Sequence, residues 1–134
     1  MALKRRQHIL LVEDDEATLS VTTAILERLG YIVSVETEGL AALRTFSEDP
    51  DRFHLAILDH GMADLTGLEL AQRFRSIRPG FPCVIYTGYL EEPSAEQLGA
   101  AGIGGRIILK PATRKQLSKA IEEALGGSVK RKGT

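Results

Sequence analysis

The sequence holds no tryptophan, a single cysteine and few aromatic residues, which make up 5% of its 134 positions. One thiol, Cys83, can close no internal disulfide, so the fold has to rest on its apolar core, and a reducing cytoplasm is the expected location. No apolar stretch approaches the roughly 18 residues that cross a bilayer, and the first residues lack a leader's long apolar centre and cleavage site, so membrane insertion and secretion are not expected. The Cys and His residues show none of the spacings that zinc sites use.

What is present fits one domain of ordinary globular composition, 43% hydrophobic and 26% charged. The net charge of −1 is unevenly spread, because Lys4, Arg5, Arg6, Lys130, Arg131 and Lys132 lie in the terminal segments. Residues 7–129 retain 11 basic against 18 acidic side chains, a net of about −7. A body of that sign is a poor partner for phosphate backbones, so direct nucleic-acid binding by the folded domain is not expected. The reading divides the chain into a basic tail (1–7), a folded body (8–125) and a polar, flexible tail (126–134).

Short apolar runs alternate with amphipathic stretches five times. The runs at 8–12, 31–35, 53–58, 83–86 and 106–109 predict strands apolar on both faces, as a parallel sheet covered by helices requires. Helices are predicted over 16–29, with Val21, Ile25 and Leu29 as its stripe and Gly30 as its stop, and over 39–46, 67–77, 93–101 and 114–125. Leu70, Ala71 and Phe74 form the face of the third, and Leu117, Ala120, Ile121, Ala124 and Leu125 that of the last, which Gly126 and Gly127 should end. Five such units are too few for an eight-stranded barrel, leaving an open, doubly wound α/β sheet whose chemistry gathers at the carboxyl ends of its strands.

Those ends are polar. The first carries Glu13, Asp14 and Asp15, the third Asp59, the fourth Thr87 and Gly88, and the fifth Lys110 and Pro111. Each alone has a bland reading, such as a helix cap for Asp15 or a surface lysine for Lys110. Together they would bring four carboxylates and a lysine to one edge. Like charges about 4 Å apart repel by roughly 4 kcal/mol at an effective dielectric near 20, so the cluster calls for positive charge. Lys110 supplies one, and oxygen ligands favour Mg²⁺ as a second source. Asp59 beside Mg²⁺ can act as a nucleophile towards phosphorus, with Lys110, Thr87 and the amides near Gly88 steadying the phosphoryl oxygens.

The segments Ile9-Leu-Leu-Val-Glu-Asp-Asp15, Ala56-Ile-Leu-Asp59, Gly67, Val84-Ile-Tyr-Thr-Gly88 and Ile108-Leu-Lys-Pro111 resemble, in order and spacing, the receiver domain of bacterial two-component response regulators over residues 8–125. The resemblance implies a flavodoxin-like (βα)5 fold with strand order 2-1-3-4-5. It implies that Asp59 accepts a phosphoryl group from the phosphohistidine of a kinase or phosphotransfer protein, and that Glu13, Asp14, Asp59 and the Gly61 carbonyl hold Mg²⁺. Thr87 would be the switch hydroxyl, Lys110 the phosphate-pairing lysine, and Lys110–Pro111 a cis peptide.

The departures are Ala63 where proline is common, Ile107 where relatives carry Tyr or Phe as half of the switch, and Ala112 in place of a frequent Phe. They predict intact phosphorylation chemistry with the aromatic relay missing. His60 and Tyr89, beside the pocket mouth, are candidates for tuning phosphate lifetime, and His8 and His54 for no chemistry. The leading expectation is a phosphoacceptor acting as a monomer or weak dimer, not a turnover enzyme. The alternatives are an aspartyl-phosphate phosphatase, against which Gly61 stands where a second aspartate is needed, and an interaction module that keeps the fold without the switch. Residues 126–134 are too few and too polar for an output domain, so the reading leans to a receiver cut from a hybrid histidine kinase, with a stand-alone phosphate shuttle as the alternative.

Overall fold

In the computed structural model, which describes residues 6–88, 94–100 and 107–132 (backbone alone for 95 and 127–132), the five apolar runs are parallel strands. They are β1 (His8–Val12), β2 (Ile32–Glu36), β3 (Leu55–Asp59), β4 (Cys83–Thr87) and β5 (Ile107–Leu109). Their order is β2-β1-β3-β4-β5, as the resemblance implied. The helices are α1 (Glu16–Arg28), α2 (Gly39–Glu48), α3 (Gly67–Ile77), α4 (Ala95–Ala100) and α5 (Arg114–Lys132).

Side chains alternate across a strand, and each strand feeds two cores accordingly. Leu10 and Val12 of β1, Ala56 and Leu58 of β3, and Cys83 and Ile85 of β4 face the side of α2 and α3. There all four phenylalanines meet, Phe46 lying 4.3 Å from Phe74 and 4.8 Å from Phe81 between ring centroids. Ile9, Leu11, Leu55, Ile57, Val84 and Tyr86 face the other side, against Leu26 of α1 and Leu117 and Ile121 of α5.

Several boundaries differ from the sequence reading. β2 starts at Ile32 instead of Tyr31, and β3 starts after Phe53 but takes in Asp59. Thr87 likewise belongs to β4 itself. The stripe read along α1 is not its buried face: Val21 is 61% exposed, whereas Thr22 and Leu26 are buried. At about 100° per residue, Thr22 and Leu26 lie roughly 100–140° around the helix from Val21, so the buried arc passes Val21 by while Ile25 packs at its edge. Gly30 does stop α1, with φ of +100° and its N–H donated to the Glu27 carbonyl.

The last helix is also longer than expected, since α5 runs through Gly126 and Gly127 to Lys132. Glycine costs a helix interior about 1 kcal/mol relative to alanine but keeps its N–H, so it weakens a helix without ending one. The predicted face of α5 is buried at Leu117, Ile121 and Ala124. Of the predicted fourth helix, residues 95–100 are helical, Leu98 is buried, and Pro93 and Ala101 lie outside the described residues, as do Tyr89 and Arg106. Among the described residues no helix is long and apolar enough to cross a membrane.

Candidate functional site

Strand ends and tight local geometry bring the acidic groups together. β1 and β3 are neighbours, with Val12 paired to Leu58, so Glu13 and Asp59 emerge side by side. Three carboxylates, from Glu13, Asp14 and Asp59, offer oxygens that all lie within 4.8 Å of one another. Asp15, the fourth, is instead the cap of α1, accepting hydrogen bonds from the Thr18 N–H at 2.9 Å and the Thr18 hydroxyl at 2.7 Å. Lys110, arriving from β5, bridges the cluster: its Nζ is 2.9 Å from Glu13 Oε1 and 3.0 Å from Asp59 Oδ1.

Backbone contacts fix both partners. The Gly61 N–H donates to Asp59 Oδ1 at 3.0 Å, and the Lys110 N–H donates to the Thr87 carbonyl at 2.8 Å. The Lys110–Pro111 peptide is cis, as the resemblance implied. At Gly67, a Cβ would stand 2.9 Å from the Asp59 carbonyl oxygen and 3.0 Å from that of Leu58, so only glycine lets α3 start this close to the strand end.

The charges respond to this crowding. Glu13 is buried, and burial pushes its carboxyl up to about 7, against the pull of Lys110 and the Asp15 amide. Asp14, exposed, is raised by partial desolvation and by Asp59. Burial works to raise Asp59 too, but the Gly61 amide and Lys110 outweigh it and hold the carboxyl below its ordinary value. Lys110 stays above the usual lysine value because Glu13 and Asp59 outweigh its desolvation. The nucleophile candidate is therefore the carboxylate held below its ordinary value, while burial raises its neighbour Glu13 despite the ammonium beside it. An all-oxygen donor set with unmet negative charge fits a hard divalent cation.

The cluster opens into a cleft of about 610 Å³, lined also by His60, Gly61, Thr87 and Gly88. Thr87 is buried, and a Cβ at Gly88 would meet nothing within 4 Å. Of the residues singled out in the sequence, then, Glu13, Asp14, Asp59, Gly61, Thr87, Gly88, Lys110 and His60 share one cleft. Ile107 does not line it, packing instead against the core beside Ile85. Tyr89 lies outside the described residues.

Two residues at the edge of this site escaped the sequence reading. Asp64 reaches across to α2, accepting from the Gly39 N–H at 3.1 Å and the Leu40 N–H at 2.9 Å. The Tyr86 hydroxyl accepts from the Ala112 N–H at 3.2 Å. Both pairings span more than twenty residues and leave no local pattern.

The chain matches the family described as the response regulator receiver domain over residues 9–122. The chain belongs to this family. It is 30% identical over 118 residues to the transcriptional regulatory protein GlrR of Escherichia coli K12, covering 88% of this chain and 26% of that protein. The chain thus spans about a quarter of that relative's length. Among solved structures, the receiver domain protein (CheY-like) of Methanospirillum hungatei JF-1 is 31% identical, with a TM-score of 0.81 over 95% of this chain and 99% of its own. The receiver domain of the sensor histidine kinase PA1611 from Pseudomonas aeruginosa PAO1, with magnesium coordinated in its active-site cleft, is 26% identical, with a TM-score of 0.79 over 91% of this chain and 99% of its own.

Proposed function

We propose that this receiver domain is a phosphoacceptor, in which Asp59 takes a phosphoryl group from the phosphohistidine of a histidine kinase or phosphotransfer protein. An Asp59 carboxylate oxygen attacks phosphorus in line with the scissile P–N bond. The P–O bond forms as the P–N bond breaks, and the imidazole leaves with the bonding pair and takes up a proton. The observation that carries this reading is Lys110 Nζ poised between Glu13 and Asp59, at 2.9 and 3.0 Å, at the floor of an open cleft. Its ammonium follows charge onto the transferred group, while Thr87 and Gly88 border the same space.

Glu13, Asp14 and Asp59 would hold Mg²⁺, which when bound offsets the negative charge on the phosphoryl oxygens. The magnesium in the cleft of the Pseudomonas relative supports that assignment, and the family resemblance adds the Gly61 carbonyl as a further ligand. Phosphorylation adds about −1.5 to −2 charges, enough to bias an element with two close-lying states. Thr87 is the group left to carry that change, since Ile107 has neither ring nor hydroxyl. The domain is the substrate of its own reaction and not a turnover enzyme, and it works in the cytoplasm.

Intact-mass analysis after incubation with acetyl phosphate tests the reading. One phosphoryl group should be gained with Mg²⁺ present, none after chelation, and none in Asp59→Asn. Unmodified wild-type protein, or label persisting in Asp59→Asn, would overturn it.

A further inference from the structure

We infer that Tyr86 is the positioning residue for Lys110, a role that rests on the phosphoacceptor reading. Tyr86 sits one residue before Thr87, and its side chain leaves β4 on the face opposite the phenylalanine cluster, where it is 3% exposed among Val84, Ile108 and Leu117. From there it touches the lysine segment twice. The Lys110 Nζ lies 5.4 Å from the centre of the phenol ring, within the range in which an ammonium is attracted to an aromatic face. The hydroxyl accepts the Ala112 N–H at 3.2 Å, fixing the backbone two residues beyond the lysine.

The same residue braces the nucleophile's strand. Tyr86 is paired with Asp59 in the β3–β4 register, and its carbonyl accepts the His60 N–H at 3.1 Å. One side chain and its own peptide thus connect the end of β3 to the segment that delivers the ammonium.

A lysine side chain has four rotatable bonds, and its carboxylate contacts alone do not fix the approach of its stem. The ring gives the ammonium a third neighbour beside Glu13 and Asp59. The hydroxyl anchors the chain at Ala112, whose small side chain is only partly buried against the core on that face. A cleft of about 230 Å³ between α1 and this segment, lined by Thr22, Ile25, Tyr86, Lys110, Pro111 and Ala112, leaves the segment without dense packing from α1. Hydrogen bond and ring contact therefore do what packing does not.

Rates of Mg²⁺-dependent labelling by acetyl phosphate, measured on the whole chain, test the assignment by a double-mutant cycle. Tyr86→Phe keeps the ring and loses the anchor, and should slow labelling about threefold; Tyr86→Leu loses both and should slow it about tenfold. In a Lys110→Ala background, Tyr86→Leu should slow labelling no further, because the residue it positions is gone. A merely structural tyrosine would multiply its penalty with that of Lys110→Ala, and that result overturns the inference. So does a wild-type rate in Tyr86→Phe, which preserves the ring volume and remains decisive even where the leucine variant does not fold. Absence of label on the wild type is a separate outcome, since it removes the phosphoacceptor reading itself and this role with it.

Discussion

At the scale of single residues, the site is built from groups that would each be unfavourable alone. Glu13 is a buried carboxyl raised to about 7, next to Asp59, which the Gly61 amide and Lys110 hold ionised. The contrast agrees with the proposed roles, Asp59 as the attacking carboxylate and Glu13 as one of the groups that would hold Mg²⁺. Gly67 shows how little tolerance surrounds them. A methyl group there would press on two backbone carbonyl oxygens at 2.9 and 3.0 Å, and backbone of a central strand cannot swing aside as a side chain can. Gly67→Ala should therefore destabilise the fold by about 1–3 kcal/mol, the cost of overpacking, despite alanine's better helix propensity. Urea unfolding monitored by circular dichroism measures this; a stabilised variant would show that α3 can shift freely away from Asp59.

At the scale of elements, the helices begin on well-made caps. α3 opens with Thr66 and Glu69 bonded reciprocally, and Thr113 with Gln116 and Ser94 with Gln97 repeat the arrangement at α5 and α4. The Ser/Thr-x-x-Glu/Gln spacing was there to be read in all three places. α2 differs, because its own cap residue, Glu38, makes no side-chain hydrogen bond to the helix. Asp64, from the loop after β3, caps it instead, and the amides of Leu40, Gly39 and Leu65 hold that carboxyl below the ordinary aspartate value.

This clasp ties α2 to the loop that carries Gly61, at the point where Ala63 replaces the proline that would stiffen it. Asp64→Ala should lose about 1 kcal/mol at neutral pH, the usual worth of an exposed cap. Because the folded value is depressed, the contribution is present in full above the unfolded carboxyl range, near pH 4, and is lost as pH falls through the lowered folded value. The stability gap between wild type and variant should accordingly close on acidification from about pH 4 downward. A gap independent of pH across that range would mean that the ionised cap is not its source.

At the scale of the whole molecule, the sheet separates two cores and places all its carboxyl ends on one edge. Cys83 reports on the integrity of that arrangement. It lies in β4, 2% exposed, facing the phenylalanine side, and burial pushes its thiol up to about 12. The folded protein should then resist thiol-specific reagents at neutral pH, because both the thiolate and its access are missing. Modification rates followed across a urea titration should rise in step with global unfolding. Rapid labelling of the native protein would reveal an opening of the sheet centre that these contacts do not provide for.

The amino-acid sequence by itself determined the α/β alternation, the two-faced strands, the stop at Gly30 and the polar strand ends that became the site. These are legible because each rests on local chemistry: a period of two or 3.6, a glycine able to take positive φ, a carboxylate just past an apolar run. Tertiary structure alone decided which face of α1 is buried and how closely the oxygens of Glu13, Asp14 and Asp59 approach, all within 4.8 Å of one another. It also decided the pairings of Asp64 with α2, 24 and 25 residues away, and of Tyr86 with Ala112, 26 residues away. Such contacts are made when strands and helices dock, so the free energy that selects them belongs to packing and has no periodic trace along the chain.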